Sequence, residues 1–328
     1  MEEMELRGAQ QRQTQSEPWQ GDRPMILPLL LREKKPEHFV KAAEGLLKMA
    51  RLQNYFPSFL LVVLGAWMAS GHDARVILMP KVWITAACSA LIAVASMLAN
   101  DVFDFRSGTD QANERDTPLM TGEVAPDDAE LAAGCLYGAA VIGICCLEPM
   151  TLRLLVGGAA VATYIYTPFL KRLLVVKNVI VAAIIASSIL AGGLVAGGAA
   201  GVARTGQVSL FFFLCILCRE ILMDVGDMVG DKAAGVRTVA VCFGRRVGTA
   251  AAGIALAAAN AVLIGILAKT QAVAAAGTLL LLPLHARIFQ LLQGGSDFTA
   301  DRLSLLRGVV DQSMLYIGGS VLLLATIV

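Results

Sequence analysis

Leu210-Phe211-Phe212-Phe213-Leu214-Cys215-Ile216-Leu217-Cys218 is apolar throughout, and it runs within a few residues into Asp224-Val225-Gly226-Asp227-Met228-Val229-Gly230-Asp231. The first stretch belongs to a hydrophobic span near 207–223. The second places acids at its end with spacing i, i+3, i+7, and Glu220 extends the same stripe one turn back. One helix face therefore carries four acids. A second cluster has the same setting: Asn100-Asp101-Val102-Phe103-Asp104, followed by Asp110, closes a span near 82–100. Membrane proteins avoid carboxylates beside apolar spans unless a cation compensates them. Both clusters therefore ask for one.

The rest of the chain fits a membrane setting. Of 328 residues, 56% are hydrophobic and 16% charged, with mean hydropathy +0.66. That is too apolar for a soluble domain of this length. Abundant Gly and Ala suit close packing of membrane helices. Nine spans are expected, near 55–71, 82–100, 128–147, 151–168, 174–200, 207–223, 248–268, 272–288 and 312–328, each able to cross about 30 Å of hydrocarbon. The expected fold is all-α and polytopic, with nine transmembrane helices. Residues 1–35 are polar and read as a disordered extension. Residues 36–328 read as a single transmembrane domain, opened by an amphipathic surface helix over 36–52.

Loop charge orders the two faces. With nine spans, the side that holds the N-terminal segment carries 19 basic residues from residue 32 onward, against 5 on the other side. This positive-inside asymmetry puts both acid clusters on the same, basic face. The net charge of +1 gives no reason to expect a nucleic-acid partner. Cys215 and Cys218 have redox-type spacing, but inside an apolar run they read as small packing residues. The histidines His38, His72 and His285 form no metal-ligand pattern.

Hard oxygen ligands in two facing sets suit Mg²⁺, which typically shares its coordination with substrate phosphates. Bases fall on the same face: Arg51 before the first span, Arg106 and Arg115 after the first cluster, Lys171 and Arg172 after Tyr166-Thr167-Pro168, and Lys232 and Arg237 after the second cluster. These can take phosphate oxygens that a metal leaves free. Each feature alone has a plain explanation: a solvated helix end, a topology anchor, or a local ion pair. The joint occurrence, 123 residues apart on one face, is what those explanations account for poorly.

These residues resemble the UbiA superfamily of intramembrane prenyltransferases over roughly residues 45–328. Asn100, Asp101 and Asp104 match its Asn-Asp-x-x-Asp motif; Asp224, Asp227 and Asp231 match its Asp-x-x-Asp-x-x-x-Asp motif. Lys232 to Thr238 and Tyr166 to Arg172 are also similar to the family. Gly108 stands where many members carry a further Asp, and the next acid is Asp110. That form is closest to the menaquinone-type branch, which prenylates dihydroxynaphthoate. Asp116-Thr117-Pro118-Leu119 replaces the usual Arg-Pro.

The resemblance implies nine helices around a central cavity and transfer of a prenyl group from a prenyl diphosphate to an aromatic, quinone-precursor-like or other lipid-soluble acceptor. It implies two Mg²⁺ ions, one on Asn100, Asp104 and Asp110 with Asp101 in support. The other would sit on Asp224 and Asp231, with Asp227 on the metal or polarising the acceptor. Asp104, Asp227 and Lys171 are the implied catalytic residues. Arg51, Arg115, Tyr166, Lys171, Arg172, Lys232 and Arg237 are the implied substrate-binding residues. An organelle membrane (plastid or mitochondrion) or a bacterial inner membrane is the expected setting, with membrane lipids as neighbours. A terpene cyclase on the same scaffold is the competing enzyme reading. An ion-coupled transporter would place its acids near the bilayer midplane, and a non-catalytic scaffold would bind neither Mg²⁺ nor prenyl diphosphate.

Overall fold

The computed structural model describes residues 36–112, 116–170, 173–268, 279–293 and 298–328. Among these every regular element is helical. The helices are α1 (Pro36–Ala50), α2 (Leu52–Ala69), α3 (Pro80–Ser107), the short α4 (Thr109–Ala112), α5 (Pro126–Cys145) and α6 (Met150–Ile165), which continues into a π-helical turn, Tyr166–Leu170. They are followed by α7 (Val176–Gly226), α8 (Met228–Ala233), α9 (Val239–Phe243), α10 (Arg245–Leu267), α11 (Leu282–Gln293) and α12 (Ala300–Ile327). The proposed extension over 1–35 and the first part of the expected span 272–288 lie outside the described residues.

Five helices, α3, α5, α7, α10 and α12, are long and apolar enough to cross a membrane, and residues 57–69 of α2 and all of α6 form shorter apolar helices. At 1.5 Å per residue the 51 residues of α7 would reach about 76 Å if straight, more than twice a hydrocarbon core. They do not run straight. Gly198 adopts φ 56°, ψ −140°, a conformation open essentially only to glycine, and the chain doubles back there. Ser209 donates to the Ala186 carbonyl at 2.9 Å, and a Cβ on Gly193 would strike Thr205 Oγ1 and the Gly201 carbonyl. The two limbs, 176–197 and 199–226, are the expected fifth and sixth spans. The turn comes earlier than the 201–206 interval the sequence suggested, because Arg204 is taken up on the helix: its Nη1 donates to the Ala69 carbonyl at 2.9 Å, at the C-terminus of α2.

The first limb packs on α2 with backbone almost touching backbone. A Cβ on Gly192 would lie 2.0 Å from the Val62 carbonyl oxygen, and one on Gly65 2.2 Å from that of Ile189. Small residues permit this approach, which is how helices associate in lipid. The second limb packs on α10 and α12 around Phe211, Phe212, Leu256, Leu263, Val309 and Val321. A second apolar cluster joins α3, α5 and α6 to α2 and the first limb. Outward-facing Ile142, Leu154, Ile254 and Leu315 are each more than two-thirds exposed, a surface fit for lipid. This is an integral, multi-pass membrane protein. Cys215 and Cys218 are buried free thiols in the core around the second limb.

Helix α1 lies across the acid-bearing end, its Met49 packed with Leu98, Val102 and Val124. Lys48 Nζ meets Glu123 at 2.9 Å. That hydrogen bond, with the Glu123 charge, raises the lysine's pKa above its ordinary value.

Candidate active site

Helix α3 ends at Gly108, which takes the left-handed conformation that commonly closes helices. That end delivers Asn100, Asp101 and Asp104 one turn apart. Asn100 Nδ2 donates to Asp104 Oδ2 at 3.1 Å. Arg51 sits at the α1–α2 junction with φ 47° and donates to Asp101 Oδ1 at 2.9 Å. Asp101, Asp104 and Asp110 are all buried.

The second limb of α7 brings in Asp224, and α8 brings in Asp231, both buried. Lys177, at the start of the first limb, lies 2.7 Å from Asp224 Oδ1 and 3.7 Å from Asp231 Oδ2. Its neighbour Asn178 donates to the other Asp224 oxygen at 2.9 Å. A buried lysine thus ties the two ends of this motif together, and each charge compensates the other's desolvation.

The two motifs meet. Helix α4, which carries Asp110, packs against α8, which carries Asp231. Tyr166, in the π-helical turn, stands close enough to Glu220, Asp224, Asp104 and Asp231 for all four charges to act on its hydroxyl. Turns of this kind recur at functional sites.

Beneath this junction lies a cavity of about 740 Å³. Arg51, Asn100, Tyr166 and Glu220 line its acid end. Met97, Ala93, Ile92 and Ser89 continue from Asn100 down one face of α3. Eleven residues separate Asn100 from Ser89, so the chamber reaches about 16 Å into the bundle. Val156, Ile184, Ile185, Phe212, Ile216 and Met314 are among the residues of its apolar wall. Its size is that of a pocket for one organic ligand.

The structure therefore gathers Arg51, Asn100, Asp101, Asp104, Tyr166, Asp224 and Asp231, with Asp110 at the α4–α8 contact. Asp227 caps the end of α7 and is partly exposed; Lys232 and Arg237 are exposed. Arg115, Lys171 and Arg172 lie outside the described residues. Among the described residues no three His, Cys, Asp or Glu side chains stand close enough to hold an ion by themselves. Three residues here fall outside the motif reading: Lys177, Asn178 and the cavity-lining Arg219. In the sequence Lys177 looks like any lysine anchoring a span at the membrane surface.

Comparison with known proteins agrees with this architecture. A relative from Methanopyrus kandleri described as digeranylgeranylglyceryl phosphate synthase is 31% identical over 209 residues, 61% of this chain and 70% of the relative. A solved structure reported under digeranylgeranylglyceryl phosphate synthase in membranes superposes with TM-score 0.64 at 18% identity, covering 87% of this chain and 98% of that one. A UbiA homologue from Archaeoglobus fulgidus bound to GPP and Mg²⁺ superposes with TM-score 0.55 at 15% identity, covering 84% of this chain and 99% of that one. At these identities the two structures establish the fold. The UbiA prenyltransferase family matches residues 58–306, a stretch that contains both acid motifs and most of the residues that line the cavity, and the chain belongs to that family.

Proposed function

We propose that this protein transfers a prenyl group from a prenyl diphosphate to a lipid-soluble acceptor inside the membrane, with Mg²⁺ at the acid junction. One observation carries the reading: two acid motifs, distant in sequence, meet at the mouth of an apolar chamber. The donor set fits the metal. Asn100, Asp101, Asp104, Asp110, Asp224 and Asp231 offer hard oxygens, the class Mg²⁺ takes. The lack of a closed carboxylate cage among the described residues also fits, since Mg²⁺ is usually held by one or two carboxylates and completed by water and substrate phosphate. The A. fulgidus homologue bound to GPP and Mg²⁺ supports the same pairing. Bound there, Mg²⁺ supplies charge that stabilises a diphosphate leaving group.

The chain's own residues do the rest. Arg51 and Lys177 hold Asp101 and Asp224 in place and keep cationic charge beside the incoming diphosphate. Lys232 and Arg237, exposed just after the second acid motif, serve as further phosphate contacts. Tyr166 closes the side of the chamber against the acids. The apolar wall takes the isoprenoid tail and excludes water that would quench the electron-poor prenyl C1. The C1–oxygen bond breaks with its electron pair leaving on the diphosphate, the acceptor's electron pair forms the new bond to C1, and the proton the acceptor then sheds passes to the released diphosphate or to water.

For the acceptor, the name of the M. kandleri relative favours a glyceryl phosphate lipid over the aromatic, quinone-precursor type suggested by the first motif. The test uses purified protein in nanodiscs with Mg²⁺, geranylgeranyl diphosphate and a panel of both acceptor types, read by mass spectrometry. Prenylated acceptor is expected. A hydrocarbon made from the diphosphate alone would replace transfer with cyclisation.

A further inference from the structure

The cavity wall holds a cation whose hydrogen-bonding capacity is only partly used. Arg219, on the second limb of α7, lines the chamber near Ile216, Met223 and Met314. Its Nη1 donates to Met223 Sδ at 2.9 Å and lies 3.4 Å from Glu220 Oε1. A thioether is a weak acceptor, and 3.4 Å is long beside the usual 2.7–2.9 Å of a charge-assisted bond. Nε is buried with no hydrogen-bond partner among the described residues. A guanidinium cannot shed its charge, and this one, a quarter exposed, turns its accessible part to the chamber with only a thioether and a long carboxylate contact to bond it. The other cations of the site differ: Arg51 and Lys177 meet carboxylates at 2.9 and 2.7 Å. Arg219 also sits deeper. It precedes Asp224 by five residues, about 7–8 Å along the helix, below the junction where the diphosphate would lie and on the wall of the chamber.

We infer that Arg219 is the recognition group for the acceptor and that the acceptor's head carries an anionic oxygen, as phosphate or carboxylate. The inference rests on the transfer reading above and narrows its acceptor. A planar guanidinium offers two parallel donors to such an oxygen pair. Glu220 engages one edge of the fork, and an anionic head satisfies the rest. An acceptor with a neutral head would leave the accessible part of the guanidinium without an anionic partner. With its head at Arg219, the acceptor lies between the diphosphate mouth and the apolar wall, beside the prenyl C1.

The test uses two matched acceptor pairs in nanodiscs with Mg²⁺ and geranylgeranyl diphosphate. One pair is a prenyl glyceryl phosphate and the same ether without its phosphate; the other is a hydroxylated aromatic carboxylate and the same aromatic without its carboxylate. The wild type is expected to favour the anionic member of one pair by at least about tenfold in kcat/KM, which also tells phosphate from carboxylate. Arg219→Gln should raise KM for that acceptor by a similar factor while leaving KM for the diphosphate within about twofold. Arg219→Lys should restore part of the preference. An unchanged preference in Arg219→Gln, or a rise in diphosphate KM instead, overturns the assignment. Should Arg219→Gln fail to fold, the wild type and Arg219→Lys decide, because a wild type indifferent to the anion overturns it equally. Thermal stabilisation by the same pairs, without donor or metal, reads the contact independently of turnover. Stabilisation by the anionic member alone supports the inference even if no prenylated product forms, a result that would sink transfer only.

Discussion

Asp104 and Asp231 stand on different motifs, yet the charges of both act on the Tyr166 hydroxyl, so each should matter separately. Asp104→Ala or Asp231→Ala is expected to cut Mg²⁺-dependent turnover by about a hundred- to a thousandfold in a protein that still inserts and melts cooperatively. Full activity in either variant removes that residue from the metal-binding set. Lys177 gives a different readout. Lys177→Met leaves Asp224 and Asp231 buried without their cation, which costs about 3–5 kcal/mol. The variant's melting temperature should therefore fall, and Mg²⁺ should recover more of it than in the wild type. Equal Mg²⁺ responses would mean that the metal does not replace this lysine. The aspartates were legible in the sequence because acids clustered at span ends need a shared cation, although the second set does not keep to the single helix face expected: the helix breaks at Asp227, and Asp231 arrives on α8. Lys177 was not, because a lysine at the head of an apolar run has a sufficient explanation in topology. Only the fold shows that Asp224 and Asp231 arrive opposite it.

Among the helices, α2 and the first limb of α7 meet backbone against backbone. Gly65→Ala and Gly192→Ala each put a methyl group into a facing carbonyl, so the two helices must separate. Each is expected to destabilise the protein by about 1–3 kcal/mol, seen as earlier unfolding in detergent. A melting curve unchanged by either substitution would contradict the packing at that crossing. Apolar length was enough to read most of the spans, since a membrane admits few alternatives to a helix. The bend between the fifth and sixth was harder. Gly192-Gly193-Leu194-Val195-Ala196-Gly197-Gly198-Ala199-Ala200-Gly201 holds five glycines, most of which could be packing residues. Arg204 falls between the expected spans 174–200 and 207–223, whereas in the fold it lies on the helix and finds a helix-end carbonyl. Only the backbone angles single out Gly198.

For the molecule as a whole, the proposed transfer makes the cavity the part that selects the isoprenoid. Ser89 is the residue of its α3 lining farthest from Asn100, and a ring there would shorten the available tube. Ser89→Phe is expected to lower kcat/KM for geranylgeranyl diphosphate relative to geranyl diphosphate by at least about tenfold. If both donors slow alike, the tail does not run down this face of α3. The existence of a chamber followed from the resemblance of the motifs. Its depth did not, because it depends on which faces of α3, α6 and α7 turn inward, and mixed apolar–small helices carry no strong periodic signal for that.

The reversal at Gly198 has a consequence for how the protein can be divided. It lies some 20 residues from Asn178, about 30 Å along the limb, at the far leaflet from the aspartates. Nicking the chain there separates Asn100, Asp101, Asp104 and Asp110 from Asp224, Asp227 and Asp231. Two coexpressed fragments, 1–198 and 199–328, should be inert alone and regain prenyl transfer by complementation, each inserting its own half. Activity in either fragment by itself would mean that one half suffices for catalysis.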